Sequence, residues 1–293
     1  MSDFGSLLTA SITPFDAQGV LNTDTLWRLC RKLVHDKSEG LVLTGTTGES
    51  PNLSVKDREI IYSTAIDAVG DKAKIIAGTG TYSTFESIEI TKMADSLGVN
   101  GIMIVTPYYS KPSQYGILRH FEEISKITDL PIMAYNIPGR TSTLIELETL
   151  QTLADDIGIH SIKDAVGDFE FSKKQLELLE DKVDIYSGND NQTYDFVTNG
   201  GIGVVSVDSH VVGKEISEMI SCAKNNEFDK AQEIHNQLTN LFEAIFEEPS
   251  PGPIKKILSE SWEEVGEPLL PITQISPELA NKIRGFYKKI KEN

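Results

Sequence analysis

Short apolar, β-branched runs alternate with amphipathic stretches along most of the chain. Eight such runs stand at residues 7–12, 40–43, 74–77, 101–105, 131–135, 158–163, 183–186 and 202–207. In runs such as 40–43 and 101–105 successive positions are apolar, so both faces are covered, which is the mark of strands in a parallel sheet. Between them the apolar period lengthens to that of a helix, as at 25–34, 56–69, 85–97 and 117–127. Ser54, and Ser83 or Thr84, stand before acidic first turns and predict N-caps. Eight strand–helix units favour an α/β fold of the closed kind, a (β/α)8 TIM barrel, over an open doubly wound sheet. After residue 207 helix follows helix, at about 214–224, 229–247, 253–259 and 277–289, with no strand between them. The pattern therefore predicts a barrel domain over 1–225 and a C-terminal helical region over 226–293.

Composition narrows the classes of function. A length of 293 residues suits two average domains or one barrel with an appendage. A formal net charge of −17 argues against a general binder of nucleic acid or of acidic membranes. No apolar run approaches the ~18–20 residues that cross a bilayer. Cys30 and Cys222 make no disulfide framework, and the first twenty residues hold no basic stretch followed by an apolar one, so a cytoplasmic location is expected. The five histidines show no HxH or HExxH spacing, and no metal site is expected. Gly78-Thr-Gly80 lacks the third glycine of a dinucleotide fingerprint, and no GxSxG elbow is present.

In a barrel of this kind the chemistry sits at the C-terminal ends of the strands. Those places carry Thr44 to Glu49, Gly78 to Thr81, Thr106 to Tyr109, Tyr135 to Thr141, Lys163, Ser187 to Asp190 and Ser206 to His210. Hydroxyls, glycines, one lysine and one arginine thus meet on one rim. Lys163 shares parity with Ile159 and Ser161, which aims it inward. An amine in a partly desolvated barrel mouth is available as a neutral nucleophile and attacks a ketone to form an imine. A lysine reaching out to solvent, or paired with Asp164 or Asp168, satisfies the same spacing. Tyr108, Tyr109 and Tyr135 suit a proton shuttle as well as ordinary rim packing. Thr46 and Thr47 lie in a glycine-bracketed turn able to present N–H groups and hydroxyls to a carboxylate. Arg140, after Pro-Gly, suits a bidentate carboxylate contact or a surface salt bridge equally.

Four motifs taken in order, GTTGES at 45–50, TPYYSKP at 106–112, YNIPGRT at 135–141 and IKDAVGD at 162–168, resemble one family over essentially the whole chain. It is the dihydrodipicolinate synthase / N-acetylneuraminate lyase family of pyruvate-dependent class I aldolases. The resemblance implies a (β/α)8 barrel with a C-terminal helical region, no cofactor beyond a covalent imine on Lys163, and a homo-oligomer, either a dimer or a dimer of dimers (a homotetramer). Within the family the sequence is most similar to the synthases that condense pyruvate with L-aspartate-4-semialdehyde to 4-hydroxy-tetrahydrodipicolinate in lysine and diaminopimelate biosynthesis. By the same resemblance Tyr135 and Thr46 relay protons, Tyr109 joins the relay from a neighbouring subunit, and Thr47 holds the pyruvate carboxylate. Arg140 then engages the second substrate's carboxylate, and Gly188 and Val205 contact pyruvate through backbone groups. A 2-keto-3-deoxy sugar-acid aldolase or dehydratase uses the same lysine and is the nearest alternative. A non-catalytic keto-acid-binding barrel is the alternative from another class, although binding alone needs no relay.

Two segments depart from the synthase pattern. Ser209-His210 replaces the usual Ala-Asn, and Ser250-Pro-Gly-Pro253 replaces Asn-Pro-Ile-Pro. Where lysine-regulated synthases bind their effector, this sequence matches with Val55, Arg58 and Tyr82, while Glu86 and Tyr108 are retained. An arginine there is expected to repel an ammonium, so feedback by lysine is expected to be weak.

Overall fold

A computed structural model describes residues 4–292. The first three residues and the last one of the two-part division therefore lie outside the described residues. In chain order the barrel runs β1 (Leu7–Ala10), α1 (Thr23–His35), β2 (Gly40–Leu43), α2 (Val55–Val69), β3 (Lys74–Gly78), α3 (Thr84–Leu97), β4 (Gly101–Val105) and α4 (Gln114–Ser125). It continues with β5 (Ile132–Asn136), α5 (Pro138–Thr141), α6 (Leu147–Thr152), β6 (Ser161–Asp164), α7 (Phe169–Leu178), β7 (Asp184–Ser187), α8 (Thr193–Thr198), β8 (Gly203–Ser206) and α9 (Ser209–Lys224). Three helices follow without a strand: α10 (Phe228–Ala244), α11 (Gly252–Ser261) and α12 (Pro277–Glu292). The eight strands pair in parallel and in sequence order, and β1 closes on β8.

Local chemistry accounts for the boundaries. Asn22 caps α1, and Leu26, Leu29, Cys30 and Leu33 form its buried stripe. Ser54 and Asp57 complete a reciprocal capping box on α2, and Ser83 rather than Thr84 caps α3. The sixth strand begins at Ser161 instead of 158, because Gly158 (φ 75) ends the preceding helical turn in the left-handed region. The helix expected from 214 starts at Ser209, with a break in its dihedrals at Val212. Among the described residues no helix is long and apolar enough to cross a membrane.

Register determines what faces the barrel interior. Val105, Tyr135, Lys163, Tyr186 and Gly203 are partners across β4 to β8 and so share one face of the sheet. Val205, two residues beyond Gly203, lies on the same face.

Candidate active site

The site is built on a loop that follows β2. Thr44 takes a left-handed conformation (φ 53) that turns the chain across the barrel mouth. Its hydroxyl meets the Tyr62 hydroxyl at 2.6 Å and donates to Gly78 O at 3.0 Å. A Cβ on Gly78 would stand 2.7 Å from Thr44 O, so only glycine allows this approach. Arg58 reaches the same place from α2, donating to Gly78 O at 3.0 Å, Ser50 O at 2.8 Å and Ser50 Oγ at 2.7 Å. The guanidinium expected to face an effector is instead buried and committed to the loop. Thr44, Gly45, Thr46, Ser50 and Pro51 then line one wall of a cavity of ≈ 220 Å³. Met103, Val105, Tyr108, Tyr135 and Arg140 are on its other walls, while Thr47 is buried in the same turn.

Lys163 is buried, and its Nζ lies 4.3 Å from the centre of the Tyr135 ring. The two carboxylates that were candidate partners are engaged elsewhere. Asp164 points to the opposite face of β6 and accepts from Val166 N–H (2.9 Å), Ser172 Oγ (2.8 Å) and Gln175 Nε2 (3.3 Å). Asp168 caps α7, accepting from the N–H groups of Glu170 and Phe171. Among the described residues Lys163 forms no ion pair; it stands outside the cavity lining, on the same face of the sheet as Val105 and Tyr135, which do line it.

Gly188 and Val205 stand at the ends of β7 and β8, on neighbouring strands but outside the cavity lining. A Cβ on Gly188 would meet Ala165 Cβ at 2.7 Å and Asp164 O at 2.9 Å, so only glycine allows the backbone to pass this close to the end of β6. Behind these ends lies a buried polar layer. Asp190 accepts from Ser206 Oγ and from Val207 N–H at 2.8 Å. Asp208 is buried beside Asp190, and burial, the Asp190 charge and a hydrogen bond with the Asp190 side chain push its carboxyl well above the usual range. The departures at Ser209-His210 belong to this layer. Ser209 Oγ meets Thr9 Oγ1 at 2.8 Å, His210 Nε2 accepts from Ile12 N–H at 3.1 Å, and His210 Nδ1 donates to Val207 O at 2.7 Å. Burial lowers the His210 pKa to about 4, which keeps the ring neutral.

Arg140, on the short α5, is exposed at the cavity mouth and forms no ion pair among the described residues. Tyr109 is not brought to this cavity. It is 94% exposed with φ 68, while its neighbour Tyr108 turns inward against Tyr82, with ring centres 5.7 Å apart. Sequence reasoning missed the Arg58–Tyr62 support of the loop. Its signal was an arginine and a tyrosine placed on the otherwise apolar stripe of α2. Among the described residues no three His, Cys, Asp or Glu side chains are grouped to hold a metal ion.

An amine, a phenol and a hydroxyl-rich turn at the mouth of a closed parallel barrel define a class of barrel lyases that act on small carbonyl compounds. Within that class the chain belongs to the dihydrodipicolinate synthetase family, whose model it matches over residues 3–290. It is 42% identical to the 4-hydroxy-tetrahydrodipicolinate synthase of Desulforudis audaxviator, over 96% of each chain. Among solved structures it resembles a dihydrodipicolinate synthase of Bacillus anthracis, with TM-score 0.95, 38% identity and coverage of 98% of this chain and 99% of that one. It also resembles the chloride-inhibited dihydrodipicolinate synthase of Acinetobacter baumannii complexed with pyruvate, with TM-score 0.95, 32% identity and coverage of 98% and 99%.

Proposed function

We propose that this enzyme condenses pyruvate with L-aspartate-4-semialdehyde to 4-hydroxy-tetrahydrodipicolinate, a step of lysine and diaminopimelate biosynthesis, through an imine on Lys163. The observation that carries the reading is the Lys163 amine, buried, free of any carboxylate among the described residues and set against the ring of Tyr135, which lines the cavity. The amine adds to the keto carbon of pyruvate, and loss of water gives the imine. Loss of a proton from the methyl group gives an enamine, whose carbon attacks the aldehyde, and the resulting alkoxide takes up a proton. The semialdehyde's own amine then closes on the imine carbon and expels the Lys163 amine, so the lysine is regenerated.

In this reading Tyr135 and Thr46 move the protons, with Tyr109 of a second copy completing the relay. Thr47 holds the pyruvate carboxylate, and the backbones of Gly188 and Val205 orient it. Arg140 receives the carboxylate of the semialdehyde. The enzyme works as a homo-oligomer in the cytoplasm and needs no cofactor beyond the imine. Pyruvate with borohydride is expected to modify Lys163 and no other residue, read by peptide mass spectrometry. An unmodified Lys163 under conditions that label a known imine enzyme sinks the mechanism. Turnover of pyruvate against a panel of aldehydes identifies the second substrate, and preference for a sugar-derived aldehyde would select the sugar-acid alternative.

A further inference from the structure

On the side away from the cavity, the first loop is held by a buried ion pair that the reaction does not use. Glu49, near the end of the loop, is buried with its backbone in the left-handed region (φ 58). Lys255 comes from α11, and the two side chains are only 2% and 1% exposed. Lys255 Nζ lies 2.6 Å from Glu49 Oε1, and Glu49 Oε2 accepts the Leu269 N–H at 2.7 Å. Lys255 Nζ also donates to Glu267 O at 3.2 Å and sits 4.4 Å from the centre of the Phe15 ring. The chain after β1 joins the same cluster, with Phe15 N–H donating to Val265 O at 3.0 Å and Thr13 Oγ1 to Gly48 O at 2.8 Å.

A buried ion pair is a poor device for stability. Desolvation of two charges offsets most of their attraction, and apolar side chains of similar volume do as well or better. It is a good device for position, because charge and hydrogen-bond geometry fix a direction and a distance that apolar contact leaves free to slide. The loop passes such a constraint on with little slack: Glu49 N–H donates to Thr46 O at 3.0 Å and Ser50 N–H to Gly45 O at 3.2 Å. A shift at Glu49 is therefore a shift at Thr46, which lines the cavity. We infer that Glu49 and Lys255 are a positioning pair, through which the C-terminal helical region sets the placement of Thr46 and Thr47 and with it the affinity of the site for pyruvate. That region supplies no residue to the cavity lining among the described residues, and the Glu49–Lys255 pair is its direct side-chain contact with the loop that does line it. The inference rests on the reading of the site given under the proposed function.

The test compares Lys255→Met, which strands the carboxylate, with Glu49→Gln/Lys255→Met, which removes both charges at nearly constant volume. Both are measured at a temperature where they are folded. The readouts are thermal midpoint, KM for pyruvate, KM for the aldehyde and the rate of borohydride-trapped pyruvate on Lys163. The double variant is expected to regain the midpoint lost in the single one. Its KM for pyruvate should stay about tenfold or more above wild type, with trapping slowed in proportion and the aldehyde KM within about twofold of wild type. A double variant that binds and traps pyruvate like wild type overturns the inference. So does one in which both KM values rise together, since that is the behaviour of a generally loosened fold. If neither variant folds, Glu49→Asp keeps the charge, shortens the arm by one methylene and is read by the same criteria. Failure of the wild-type enzyme to trap pyruvate on Lys163 would instead strike at the imine reading, so the two failures are told apart.

Discussion

Lys163 and Asp164 are adjacent in sequence and part company in the fold, one set against the Tyr135 ring and the other satisfied beneath α7. That separation leaves the amine without a carboxylate partner among the described residues, as the proposed imine chemistry requires. Arg140 is the corresponding unpaired cation at the mouth, and its test is specific. Arg140→Ala is expected to lower kcat/KM for the semialdehyde by about 10- to 150-fold, equal to ~1.5–3 kcal/mol of a charge-assisted contact, while borohydride trapping of pyruvate stays near wild type. A variant indistinguishable from wild type would remove Arg140 from the site. His210 carries a pH prediction whose sign follows from its burial. Its folded pKa, about 4, lies below the ordinary 6.5, so the fold refuses a proton that the unfolded chain accepts. The stability due to neutral His210 is complete above pH 6.5 and is lost as pH falls to about 4, by on the order of 3 kcal/mol. Asp208 acts the other way, since its raised pKa favours the fold at low pH and costs stability as pH rises. The informative quantity is therefore the difference between proteins. His210→Asn should show a flatter loss of denaturation midpoint than wild type across that window. Parallel curves would mean that His210 is not held neutral.

At the scale of elements, strands such as β2 (GLVL) and β4 (GIMIV) were legible because a parallel strand covered on both faces is a continuous apolar run. Their ends were less legible. The extent of β6 is decided by Gly158 and the turn it closes, not by the apolar run, and α9 starts early because Ser209 and His210 turn into the polar layer behind β8. Lys163, Tyr135, Thr46 and Arg140 could be found because they stand at strand ends, where topology assigns a place to each. Glu49 and Lys255 could not, since their pairing joins residues 49 and 255 across the whole chain and no local pattern encodes it. Arg58 shows the same limit in reverse: resemblance alone turned it toward an effector, whereas its donors are bonded to Gly78 and Ser50. With that guanidinium occupied and Val55 offering no polar partner, added lysine at sub-millimolar concentration is expected to leave initial rates nearly unchanged. Strong inhibition in that range would show that this face still accepts an effector.

At the scale of the molecule, the distribution of aromatic surface is uneven. Tyr82, Phe85, Tyr109 and Tyr115 are 58%, 76%, 94% and 72% exposed, on α3, α4 and the loops before them, in a chain whose net charge of −17 otherwise favours solvation. Exposed tyrosine and phenylalanine in such number suit an interface better than a free surface, and a two-fold axis would let each subunit present the same patch to the other. Tyr109, turned away from its own cavity, would then reach the cavity of the partner. The expected outcome is a complementation. Tyr109→Phe and Lys163→Ala homo-oligomers should each be inactive, but mixed subunits should regain activity. In a hybrid dimer one site holds native Lys163 with native Tyr109 from across the interface, and the other holds neither. Mass spectrometry of the intact assembly confirms that hybrids form, and initial rates report the recovered site. Hybrids as inactive as their parents would mean that Tyr109 serves no neighbouring site, and the exposed aromatics would then have to be explained without a shared active site.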